Sequence, residues 1–136
     1  TAPNIVQAVI ARNTRLPVFA GAVGRCYAAT LGLSKAATRE GFDAVRWQQA
    51  PSFDAYWQDV ATARETGFGR DRGQLFRGLD IVASVARDGA GIPRLGMSSI
   101  TIAAQHDDAS LTEVGTALAE AAQLVERCLF VRPARS

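Results

Sequence analysis

The sequence predicts an α+β domain in which a mostly antiparallel sheet carries helices on its faces. Three observations lead there. Residues 79–87 (LDIVASVAR) and 94–104 (RLGMSSITIAA) are the strongest strand patterns in the chain. Between them lies Asp88-Gly89-Ala90-Gly91-Ile92-Pro93, which is turn chemistry. It is too short for a parallel crossover, which needs about a dozen residues, so the two strands form an antiparallel hairpin. Finally, apolar residues recur at helical spacing before this hairpin and again after it.

The elements follow in order. Residues 5–11 (IVQAVIA) are apolar and β-branched and predict a strand. A loop over 13–16 leads to Pro17, which suits the first turn of a helix because its missing N–H would be unpaired there anyway. Ala20, Val23, Tyr27 and Leu31 then keep helical spacing. Gly21 and Gly24 fall inside that helix and cost about 1 kcal/mol each relative to Ala, so a close approach of ligand or backbone should compensate. Ser34 is the N-cap of a second helix ending near Trp47, and Ala50-Pro51-Ser52 is a break. Phe53, Tyr56/Trp57, Val60 and Arg64 set the face of a third helix that stops at Gly67. A short strand is expected over 67–71. The two long strands are apolar on both faces, so both faces should be covered. Ser110-Leu111-Thr112-Glu113 fits a capping box. Leu111, Val114, Leu118, Ala121/Ala122, Val125 and Cys128/Leu129 continue it as a long helix with one apolar face, and Arg132 to Ser136 form a frayed tail.

Composition narrows the function. At 136 residues, 48% hydrophobic and 21% charged, the chain is one ordinary globular domain rather than a disordered one. Net charge is +2, and fourteen of the fifteen basic residues are Arg, spread from Arg12 to Arg135 without a basic helix face. Direct nucleic-acid binding, which needs clustered charge, is not expected. Cys26 and Cys128 are far apart and lack the paired spacing of a zinc site, and both fall on apolar helix faces. Reduced thiols in a cytoplasmic protein are expected, with no metal, no cofactor and no membrane span. The chain opens at Thr1 without Met, which suggests a fragment.

Few residues invite chemistry. The run Gly67-Phe68-Gly69-Arg70-Asp71-Arg72-Gly73 resembles a phosphate-binding glycine loop, but its third Gly is late and no helix follows. Ser98 or Ser99 with His106 and Asp107 supplies the residue types of a hydrolytic triad, without the elbow that presents a nucleophile. Asp71 sits between Arg70 and Arg72 and is either a solvated charge or a ligand contact. Ser98 and Ser99 put one hydroxyl on each side of the sheet, and a buried one must find a partner. The Gly21–Gly24 turn either receives a carboxylate on its amides or allows close packing.

Taken in order, these features resemble the C-terminal effector-binding domain of IclR-type transcriptional regulators. Residues 15–29 (RLPVFAGAVGRCYAA) are similar to the family block RLPLHATALGKALLA. Residues 63–71 (ARETGFGRD), 76–83 (FRGLDIVA), 88–93 (DGAGIP) and 95–98 (LGMS) follow it in the family's order, so the resemblance runs from about residue 5 to 130. It implies a GAF-like α+β fold, a sheet flanked by helices. It further implies one effector domain over 1–136, truncated at its start, with the DNA-binding winged helix absent from this chain.

The resemblance also implies a non-enzymatic sensor. A small organic or aromatic acid would bind, and a homodimer or tetramer would pass the change to DNA through the missing domain. Carried over position by position, the ligand contacts are the amides of Ala22 and Val23, Asp71, Ile81, Ser98 and Ile100. Phe19 and Arg25 stand where the family usually has His and Lys. With Ile81 and Ile100 at positions often polar, the effector should carry a ring or hydrocarbon part beside its acidic group. Two other readings compete: a structural oligomerisation module with no ligand, and a hydrolase using Ser98 or Ser99 with His106.

Overall fold

The computed structural model describes residues 18–130. The predicted strand at 5–11, the loop at 13–16, the Pro17 helix start and the tail at 132–136 lie outside the described residues.

Helix α1 (Gly21–Leu31) follows an extended Ala20. Gly21, its first residue, has a φ of +65°, a conformation that glycine adopts without strain. Gly24 has its compensation in backbone: a Cβ there would lie 2.2 Å from the Phe19 carbonyl oxygen. Helix α2 (Lys35–Asp43) is capped by the Ser34 hydroxyl, which accepts from the Ala37 N–H at 3.1 Å. It ends before Trp47. The chain turns at Val45, whose N–H reaches the Phe42 carbonyl, and the Trp47 indole donates to that same carbonyl. Helix α3 (Phe53–Thr66) is capped by Ser52 and stopped by Gly67 at φ +85°. Its buried face is Phe53, Tyr56, Val60 and Ala63, with Arg64 turned outward. Small residues on α1 (Cys26, Ala28, Ala29) let the aromatic group Phe42, Phe53 and Tyr56 approach closely. The Phe42 and Tyr56 ring centroids are 5.1 Å apart.

The sheet runs β1 (Gly69–Arg72), β2 (Leu79–Arg87), β3 (Pro93–Ile102) in that order, antiparallel throughout. The predicted hairpin is present. Asp88 closes its turn by accepting from the N–H groups of Ala90 and Ile92. A bulge at Ala86/Arg87 falls where Pro93 has no N–H to offer. Central β2 is covered on both faces, but β3 is not: Leu95 is 47% and Ile100 41% exposed. The expectation that both strands are covered therefore fails for β3. Helix α1 packs on one face of the sheet and α4 on the other, and β3 is the edge that neither covers fully.

Helix α4 (Asp108–Val125) has its N-cap three residues before the predicted one. Asp107 is the N-cap and accepts from the Ser110 N–H at 2.8 Å, so Ser110 supplies a donor instead of an acceptor. That bond holds the Asp107 carboxyl below its ordinary pKa. Gly115 lets α4 lie on Phe68, since a Cβ there would meet the ring at 2.3 Å. A π-helical turn (Glu126–Phe130) ends the helix and changes its phase. Cys128 and Leu129 consequently face solvent, contrary to the expected apolar face, while Cys26 is buried as expected.

Candidate functional site

Strand register decides which side chains meet. Asp71 pairs with Ile81, and Ile81 with Ile100, so these three form one row across the sheet. Ser98 pairs with Ala83 in the next row on the same face. Helix α1 lies over that face: Ala22 is buried with Ile81 and Ala83, and half-buried Val23 packs beside them. A Cβ on Gly96 would meet Val23 at 3.5 Å. All six candidate residues (Ala22, Val23, Asp71, Ile81, Ser98 and Ile100) thus come to one face, between the start of α1 and the sheet.

The start of α1 is chemically open. Ala20 has no side chain to cap it and the first turn holds no acidic residue, so the leading N–H groups lack a side-chain acceptor from the helix itself. Nearby polarity divides into two kinds. The Ser98 hydroxyl is exposed on β3, whereas Ser99 points to the other face and is half-buried. The Asp71 carboxylate is buried and already engaged. Its Oδ1 accepts from the N–H of Gln74 at 2.8 Å and of Leu75 at 3.2 Å, and its Oδ2 lies 3.7 Å from an Arg25 nitrogen.

Arg25 is the residue that the sequence pattern placed least well. It is fully buried, on α1, inside an otherwise small-residue stretch. Its Nε donates to Asp59 of α3 at 3.0 Å, one terminal nitrogen donates to the Gly21 carbonyl at 2.9 Å, and the other to the Gln74 side-chain oxygen. The guanidinium lies 4.8 Å from the Tyr56 ring centroid. Tyr56 in turn donates its hydroxyl to the Phe19 carbonyl, so α3 holds α1 through Asp59 and the turn before it through Tyr56. Burial pushes the Tyr56 phenol up to about 12 and the Cys26 thiol up to about 12. A basic residue amid Gly and Ala was the sequence signal for this hub, but its acidic partners lie 34 and 46 positions away and nothing local marks them.

The remaining sequence candidates do not assemble. His106 is exposed in the β3–α4 connection, and no hydrogen bond joins it to Ser98 or Ser99 among the described residues. The glycine-rich 67–73 run is a helix stop followed by β1. Among the described residues no group of three or more His, Cys, Asp or Glu is placed to hold a metal. No described helix is long and apolar enough to cross a membrane.

Solved structures share this arrangement. The Agobacterium tumefaciens repressor BlcR superposes with a TM-score of 0.73 at 21% identity, over 88% of this chain and 49% of that one. The C-terminal domain of the E. coli transcriptional regulator KdgR gives 0.63 at 21% identity, over 82% of this chain and 70% of that one. The fold is that of an IclR-type C-terminal domain. An IclR transcriptional regulator from Alicyclobacillus acidocaldarius matches equally well, with TM-score 0.73 and 21% identity over 93% of this chain and 51% of that one. At this identity the likeness to the IclR-type domain is one of fold, and the chain spans about half the length of the whole regulators it matches. No family model matches the sequence, and no curated protein does.

Proposed function

We propose that this chain is the effector-sensing part of a cytoplasmic transcriptional regulator, binds a small organic acid between α1 and the sheet, and performs no bond chemistry. One observation carries the reading: the uncapped start of α1 stands over a sheet face bearing Ile81, Ile100 and Ser98. Such a helix start attracts a carboxylate, the two isoleucines suit a ring or hydrocarbon, and the Ser98 hydroxyl offers a hydrogen bond. Asp71 belongs to the floor of this site, with Arg25 balancing its charge. The effector therefore meets a face with little net charge.

In the full-length regulator the acid acts by favouring one of two arrangements, which changes how the DNA-reading domains of a homodimer or tetramer are spaced. The test is a thermal melt of the chain with a panel of aromatic monocarboxylates and, separately, glyoxylate. A binder at about 100 times its Kd adds about 2.7 kcal/mol to the native state. Aromatic acids should raise the midpoint, and Ser98→Ala and Ile100→Glu should reduce the rise. Stabilisation by glyoxylate alone, or by no acid in the panel, refutes the proposal.

A structural oligomerisation role is favoured by a different observation: Leu124 and Leu129 near the end of α4 are 54% and 66% exposed. Sedimentation of the chain with Leu124→Glu tests it, and a monomer before and after the change removes that role.

A further inference from the structure

Strand β1 is shorter than β2, and it runs out at Gly69, opposite Ala83. Beyond that point, as far as Arg87, no strand among the described residues pairs with this edge of β2. The direction of its backbone groups follows from three bonds. The Leu79 carbonyl accepts from Gly73, the Ala83 carbonyl from the Cys26 thiol, and the Arg87 N–H donates to Glu126 at 2.7 Å. The Asp88 N–H points the other way, to Ile92 in the hairpin turn. Odd-numbered residues of β2 therefore present their N–H and C=O on the β1 side. Of the edge groups past Gly69, the Ala83 carbonyl has Cys26 and the Arg87 N–H has Glu126. The N–H and C=O of Val85 point the same way and have no partner among the described residues.

A cleft of about 350 Å³ opens at this place, lined by Val85 and by parts of α1, α3 and α4. Ala29 and Ala63 line it on one side of the strand and Ala119 and Ala122 on the other, with the charged side chains Arg64, Glu65, Arg87 and Glu126 also in its wall. None of the six candidate effector contacts lines it. A donor and an acceptor from one residue of an edge strand match the C=O and N–H of one residue in an extended chain, and backbone groups left unpaired are costly. Alanine walls on both sides leave room for the two alternating side chains of such a chain, if they are small. The volume is at the lower end of ligand pockets, roughly 300–1,000 Å³, and so admits a short segment.

We propose that this cleft binds a short extended peptide with small side chains, which continues the line of β1 along β2 and pairs with both backbone groups of Val85. This site stands independently of the effector reading. It is tested by NMR titration of ¹⁵N-labelled chain with acetyl-Ala-Ala-Ala-amide. The expected Kd is on the order of 1 mM, with shifts centred on the Val85, Arg87 and Ala122 amides. The same peptide with the middle N–H replaced by an ester oxygen should bind at least about tenfold more weakly. Gln123→Trp, at an exposed rim position, should weaken binding by a similar factor without touching the core. Shifts centred elsewhere, equal binding of the ester, or no shift at peptide concentrations about tenfold above that Kd would overturn the site.

Discussion

Arg25→Met is the sharpest test of how this domain is held together. The guanidinium is wholly buried and faces Asp71, also wholly buried, while its second carboxylate, on Asp59, is 45% exposed. Removing the cation leaves Asp71 with two backbone donors and no counter-charge, and leaves Gly21 and Gln74 without their donor. Breaking one side of a buried pair costs about 3–5 kcal/mol. The half-exposed Asp59 contact adds well under 1 kcal/mol after solvent screening, roughly the scale of surface pairs. Methionine fills most of the volume against Tyr56 and recovers part of the ring contact. A loss of about 4 kcal/mol is expected, a large share of the roughly 5–15 kcal/mol typical of a domain. With a urea m-value of about 2 kcal/mol/M, the midpoint falls by about 2 M. Equilibrium urea unfolding followed by Trp fluorescence measures it. Asp71→Asn on the same background should cost much less than it does alone, because the charge it would unpair is already gone. A loss below about 1 kcal/mol for Arg25→Met, or additive losses in the double variant, would refute the reasoning.

Four further outcomes follow from the same packing. Gly24→Ala should cost about 2–3 kcal/mol in urea unfolding despite the better helix propensity of Ala, because its Cβ meets the Phe19 backbone. Gly32→Ala should cost about 1 kcal/mol, from φ alone, since nothing lies within 4 Å of its Cβ. Thiol titration with a disulfide reagent at pH 8 should label Cys128 at once and Cys26 only in denaturant, because Cys128 is exposed and burial holds Cys26 as the neutral thiol to about pH 12. Stability should also fall as pH rises from 9 to about 12. In that window the unfolded chain loses the Cys26 and Tyr56 protons, whose ordinary values are 9.0 and 10.0, while the native state keeps them. Melting temperatures that stay flat from pH 8.5 to 11 would contradict both buried assignments.

Much of the fold was legible because its signals are local. Ser34 and Gly67 announce helix ends through their own backbone and side chains, and they stand where expected. The hairpin was readable from Asp88 to Pro93 for the same reason. The misses came where a neighbour outcompeted a local signal. Asp107 displaced Ser110 as the cap of α4, since an acceptor one turn earlier captures the Ser110 N–H. Periodicity through Cys128 failed because a π turn adds a residue to the helical repeat, and that leaves no mark in the apolar pattern. Coverage of β3 could not be read from its own apolar residues, because alternation says which residues share a face and not what lies on it. The candidate site divides in the same way. Register brings Asp71, Ile81 and Ile100 into line. The engagement of Asp71 by Arg25 and by the turn at Gln74 depends on three separate segments meeting.

Those meetings also determine which parts of the domain are free to respond to an effector. Arg25 ties α1 to α3 through Asp59, and to β1 and the turn after it through Asp71 and Gln74. Tyr56 adds a second tie from α3 to the Phe19 turn. Moving α1 alone would pull a buried guanidinium away from buried partners, a displacement that costs kilocalories rather than tenths. Strand β3 has no such tie: among the described residues no strand pairs with its outer edge, and Leu95, Ser98 and Ile100 are exposed. On the effector reading, the mobile side of the site is therefore β3, and the α1–α3–β1 corner is the fixed anvil against which the ligand is pressed. Hydrogen exchange should then show slowed exchange in β3 on adding a stabilising aromatic acid, with little change in α1 and α3. If the largest change instead fell in α1 and α3 while β3 exchanged as before, the Arg25 cluster would have to be a hinge and not a clamp.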